Sequence, residues 1–125
     1  MTEPVDKLSG AEIGEFQEWL EKRSNLKFTV RIIEEHPCEF FNKHDIPGYH
    51  PEAMCRFDTK EVYIWCKASH ARKAIAHEFI HLTRGEPVHK SNSAAGFAEE
   101  GGIEKEAMKL VNEFMPREVY DLTDL

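Results

Sequence analysis

The segment Ser69–Arg84, Ser-His-Ala-Arg-Lys-Ala-Ile-Ala-His-Glu-Phe-Ile-His-Leu-Thr-Arg, constrains this chain more than any other stretch. At about 100° per residue, Ile75, Phe79 and Leu82 fall on one stripe of a helix, spaced i, i+4, i+7. His77 and His81 fall together on the opposite side, flanked by Ile80, and Glu78 lies between the two sides. The apolar stripe needs a core to pack on. The other face, with two imidazoles and an isoleucine, needs a second layer over it. A fold that accepts this helix, predicted over 69–84 and ended by Gly85 and Pro87, must therefore cover it on both sides.

Histidines four apart sit one turn above each other, so their rings can point at a common spot. A divalent zinc ion accepts imidazole nitrogens in that arrangement, and the intervening Glu78 then stands beside the open coordination position. There it can take a proton from a zinc-bound water, the way such sites hydrolyse a peptide bond. The competing reading, two solvated histidines on a surface helix, leaves Ile80 unexplained.

The rest of the composition narrows the class. With 125 residues, 41% of them hydrophobic and 31% charged, the chain suits one soluble domain, 1–125, with tails expected at 1–8 and 117–125. A net charge of -7 argues against binding a phosphate backbone, so no direct nucleic-acid contact is expected. Neither a basic, apolar leader nor a membrane-length apolar run occurs, and a cytoplasmic location without membrane contact is the expectation. Cys38, Cys55 and Cys66 are odd in number and form no Cys-x-x-Cys pair, which fits reduced thiols.

Ser9-Gly-Ala-Glu12 reads as a capping box before Ile13, Phe16 and Leu20, giving a helix over 9–24 with Glu15, Glu18, Glu21 and Lys22 on its solvated face. Lys27–Ile33 alternates, with Phe28, Val30 and Ile32 on one side of a half-buried strand. Residues 34–52 are interrupted by Pro37, Pro47, Gly48 and Pro51, with a short edge piece at Cys38–Phe41; His44, Tyr49 and His50 lie there. Ala53–Phe57 and Glu61–Cys66 read as a hairpin. Its second strand is apolar on both faces, which suits a central position. After Gly85 comes a loop with one turn of helix at Ala94–Glu99, and then a last helix from Ile103 to Phe114, stopped by Pro116.

A catalytic zinc takes three protein ligands. The downstream candidates are His89, Glu99, Glu100, Glu104 and Glu106; a metzincin third histidine is excluded because Pro87 holds its position. On the last helix Ile103, Ala107, Leu110, Val111 and Phe114 form the apolar stripe. Glu104 lies at its edge and Glu106 on the solvated face. A carboxylate among apolar neighbours needs a cation or hydrogen bonds to meet it, which favours Glu104.

Arg72 followed by Ala74-Ile-Ala-His-Glu-x-x-His81, then Ile103-Glu-Lys-Glu-Ala107 and Phe114-Met-Pro116, resembles the ImmA/IrrE-type metallopeptidases, a gluzincin family, over roughly residues 46–116. The resemblance implies an α+β, minimal zincin-like fold: a small mixed or antiparallel sheet, an N-terminal helix, the His-Glu-x-x-His helix and a third-ligand helix. It implies zinc on His77, His81 and Glu104, with Glu78 as the catalytic base of an endopeptidase. Known members cleave repressor proteins in the bacterial cytoplasm, so a protein or peptide substrate, a repressor among the options, is the implied partner. Met108 stands where that family usually has Asn or Asp, and Ile80 where Gly is common.

Two further functions compete. One is a zinc-holding protein of the same fold that grips a partner without cleaving it, suggested by Met108. The other is an iron site of two histidines and one carboxylate. For the oxyanion, Tyr49, His50 and His70 are all candidates.

Overall fold

The computed structural model describes residues 10–35, 52–85, 94–115 and 120. Its elements run α1 (Gly10–Ser24), β1 (Thr29–Ile33), β2 (Ala53–Arg56), β3 (Glu61–Trp65), α2 (Ala71–Arg84) and α3 (Ala94–Phe114). Among the described residues the architecture is α+β: three helices and one three-stranded mixed sheet. The expected edge piece at Cys38–Phe41, the loop residues His44, Tyr49 and His50, the cap at Ser9, and His89 lie outside the described residues.

α1 buries Ile13, Phe16 and Leu20, at the spacing expected for one helical face. It stops at Asn25, whose φ of 60° is the left-handed geometry that asparagine tolerates, and whose amide donates back to the Glu21 carbonyl at 3.0 Å. Glu12, read as part of a cap, instead extends its carboxylate to the Arg72 guanidinium at 3.4 Å. That contact ties α1 to α2.

The sheet order is β1-β3-β2. β3 is central, parallel to β1 and antiparallel to β2, as its two apolar faces suggest. The hairpin register pairs Ala53 with Ile64 and Cys55 with Val62. Those four residues share the face that turns toward the helices, and Val62 and Ile64 are fully buried there. On the opposite face the Tyr63 hydroxyl donates to Glu61 at 2.9 Å, and Arg31 also pairs with Glu61. Just before β1 the expected inward position holds for Phe28, which packs on Phe79 with ring centroids 5.2 Å apart. Ile32 departs from it at 52% exposure. The end of this edge strand opens onto a cavity of about 170 Å³ lined by Ile13, Ile64, Trp65 and Ala71 among others.

The last helix differs from expectation in a way that matters for the site. In place of a short turn and a separate helix from Ile103, α3 is one continuous helix that runs through Gly101 and Gly102. Each glycine costs about 1 kcal/mol relative to alanine in a helix. Burial of Ile103, Ala107 and Val111 against α2 on one side and aromatic packing at the far end offset that cost. There Phe114 meets Phe16 and Trp19 with ring centroids 5.0 and 5.2 Å apart. α3 is the layer that covers the second face of α2. No helix among the described residues is long and apolar enough to cross a membrane.

Candidate metal centre

α2 begins at Ala71, and its first turn is held by a residue distant in sequence. His70 occupies the cap position without capping through its own side chain. Instead Glu52, just before β2, accepts hydrogen bonds from the Ser69 amide (2.7 Å), the Ser69 hydroxyl (2.9 Å) and the His70 amide (3.0 Å). A carboxylate at this end also suits the positive pole of the helix. Burial pushes the Glu52 carboxyl up, but the donated bonds from Ser69 and His70 outweigh it and hold it below its ordinary value. The hairpin thereby sets where α2 starts and which way its histidines face. His70, an oxyanion candidate, is engaged in this cluster, with Nδ1 2.9 Å from the Ser69 hydroxyl. It sits two turns before His77.

His77, Glu78 and His81 are all buried. The imidazole rings of His77 and His81 lie 5.1 Å apart, and one ligand atom from each of the three residues lies within 4.8 Å of the others. This buried group could hold a metal ion. Across from it α3 presents two carboxylates one turn apart. Glu100 spans both rings: one oxygen is 2.6 Å from His77 Nε2 and the other is 3.0 Å from His81 Nε2. Glu104, the expected third ligand, comes to the other nitrogen of His77, with Oε1 3.4 Å from Nδ1 and Oε2 3.8 Å from Lys73 Nζ. Glu106 pairs with Arg84 at 2.7 Å on the exposed side, where its helical position puts it. Glu99 has no part in these contacts.

Burial alone would push His77 down, but hydrogen bonds to Glu100 and Glu104 and the charge of Glu78 outweigh it, and the ring is pushed up to about 10. Burial likewise works against an ionised Glu100, and the two histidines hold it down nonetheless. Glu104 is also lowered, against burial, by the His77 hydrogen bond and by Lys73. Without a cation, then, a proton on His77 balances the carboxylates. A divalent cation would take over that balancing role, meeting nitrogens and oxygen in the set that zinc or ferrous iron accepts. The residues fit such an ion.

Glu78 behaves differently. Burial dominates and pushes its carboxyl up, against the opposing charges of His77 and His81 and a hydrogen bond from Cys55. A carboxyl with a raised pKa beside two buried histidines is suited to accepting and passing on a proton.

Glu100 is one of the five downstream candidates the sequence offers; the expected start of the last helix at Ile103 leaves it in the preceding loop, away from the helical face that favours Glu104. The i, i+4 spacing of Glu100 and Glu104 was the available signal. The Cys55 contact had a weaker one, the alternation that puts Ala53 and Cys55 on the same face of β2. Nothing local marks Glu52, which acts across 17 and 18 residues.

Comparison with protein-family models, curated proteins and solved structures returns no match.

Proposed function

We propose that this protein is a zinc-dependent peptidase of zincin-like fold, acting on a protein or peptide substrate. One observation carries the reading. The Nε2 atoms of His77 and His81 converge on one carboxylate, Glu100, and the same two histidines group with the buried Glu78. His77 and His81 would hold the ion with Glu100 as the third ligand. Glu104 would orient His77 through Nδ1, the usual task of a carboxylate behind a metal-bound imidazole.

When bound, the cation supplies a Lewis acid that polarises the scissile carbonyl and makes water more acidic. The chain's own residues do the rest. Glu78 accepts the proton of the attacking water on a carboxylate oxygen and passes it to the leaving amine. The raised pKa of Glu78 matches both halves of that task. α3 closes the far side of the site and limits water there. Among the described residues β2 pairs only with β3, so its other edge can take an extended peptide by strand addition.

The test combines metal content with cleavage of an unfolded, fluorescently labelled protein. Zinc should be present in about one equivalent, and Glu78→Gln should keep it while losing cleavage by about a hundredfold or more. Stoichiometric iron with no zinc would replace this reading with the iron site. Partner capture by the zinc-loaded protein, unaffected by Glu78→Gln and without cleavage, would replace it with the binding module.

A further inference from the structure

Lys73 precedes His77 by one helical turn on α2, so its side chain shares the face that carries both histidines. Along that face the partners on α3 change in order. Lys73 Nζ lies 3.8 Å from Glu104 Oε2. His77 meets Glu104 through Nδ1 and Glu100 through Nε2, and His81 Nε2 meets Glu100. The two oxygens of Glu104 therefore face two different groups, the imidazole on one side and the ammonium on the other. Lys73 is itself held in place. Its Nζ lies 5.6 Å from the centroid of the Tyr120 ring, a cation–π contact. Tyr120 is pinned by its backbone: the Asn112 side-chain amide donates to its carbonyl at 2.8 Å and accepts from its amide at 2.9 Å. Asn112 lies further along α3, so one helix supplies both the carboxylate that Lys73 meets and the anchor for the ring beneath it.

We propose that Lys73 is a positioning residue that decides between the two carboxylates: by pairing with Glu104 it keeps that side chain behind His77, on Nδ1, and leaves the Nε2 side to Glu100 as the metal ligand. The inference rests on the metal-site reading above. Glu104 stands one turn from Glu100 on α3, and its side chain is 41% exposed, so it has room to turn once its outer oxygen loses the ammonium. A divalent ion attracts a carboxylate more strongly than a neutral imidazole N–H does. Without Lys73, Glu104 would compete with Glu100 for the ion.

Zinc affinity, measured on the full chain by competition with a chromophoric chelator, tests this through a ratio. Glu100→Gln should weaken zinc about a hundredfold in the parent but only about tenfold or less in a Lys73→Met background, because Glu104 takes the vacated place. Adding Glu104→Gln to the Lys73→Met, Glu100→Gln protein should then cost about a further hundredfold, against about tenfold when Lys73 is present. Loss of a positive charge near the ion shifts every Lys73→Met protein alike, so that effect cancels in the ratio. Lys73→Arg keeps the charge and should behave as the parent, and Lys73→Gln should reproduce the ratio seen with methionine. A Glu100→Gln penalty that changes by less than about threefold between the lysine and methionine backgrounds overturns the role of Lys73 and leaves the metal site standing. No Glu100→Gln penalty in the parent overturns both.

Discussion

Replacing Glu52 by glutamine would test how the hairpin holds the metal-bearing helix. The carboxylate accepts from two backbone amides and one hydroxyl, and its side chain is only 21% exposed. Glutamine keeps the shape, but it removes the charge and turns one acceptor into a donor facing an N–H. A hydrogen bond to a charged acceptor contributes about 1.5–3 kcal/mol, and a carboxylate at a helix start about 0.3–1 kcal/mol. Allowing for one bond retained by the amide oxygen and for partial solvent screening, the variant should lose about 2 kcal/mol. In a domain of this size that is a fall in Tm of roughly 6–10 °C. The sign of the pH dependence follows from the direction of the shift. Glu52 is held below its ordinary value of 4.5, so its contribution is complete above that value and is lost as pH falls through the lower, folded one. Urea melts of parent and variant, taken from neutral pH down the acid limb, should therefore show a gap of about 2 kcal/mol that closes on acidification. A gap below about 0.5 kcal/mol at neutral pH, or one that stays constant into acid, would refute the assignment of Glu52 as the cap.

Other substitutions probe the site and its scaffold. Glu100→Gln should weaken zinc binding by about a hundredfold or more and Glu104→Gln by about tenfold, read by competition with a chromophoric chelator. The reverse order would return the ligand role to Glu104. Adding zinc to about a thousand times its Kd over metal-stripped protein should stabilise it by about 4 kcal/mol, and His77→Ala should abolish that gain; equal stabilisation of the two proteins would place the ion elsewhere. Gly101→Ala and Gly102→Ala should each stabilise by about 0.4–1 kcal/mol, since a Cβ at either position meets nothing within 4 Å. No gain in thermal melts would mean that the helix is broken there.

The sequence by itself determined what depends on neighbours within a few residues. Periodicity of Ile13, Phe16 and Leu20 predicts α1, and alternation along Glu61–Trp65 predicts a strand with two apolar faces. The spacing of His77 and His81 already puts both rings on one face of a helix that must be covered. The exposed position of Glu106 follows from the same helical arithmetic. The expected start of the last helix at Ile103 also follows local composition, and there it fails, because packing of Ile103, Ala107 and Val111 on α2 outweighs the intrinsic penalties of Gly101 and Gly102. Tertiary structure alone decided which carboxylate spans the imidazoles, which strand end caps α2 and which thiol meets Glu78. The carboxylate contacts among them join residues 17 to 27 positions apart. Their partners are chosen by how α3 and the hairpin pack against α2, and no pattern within a single element encodes that choice.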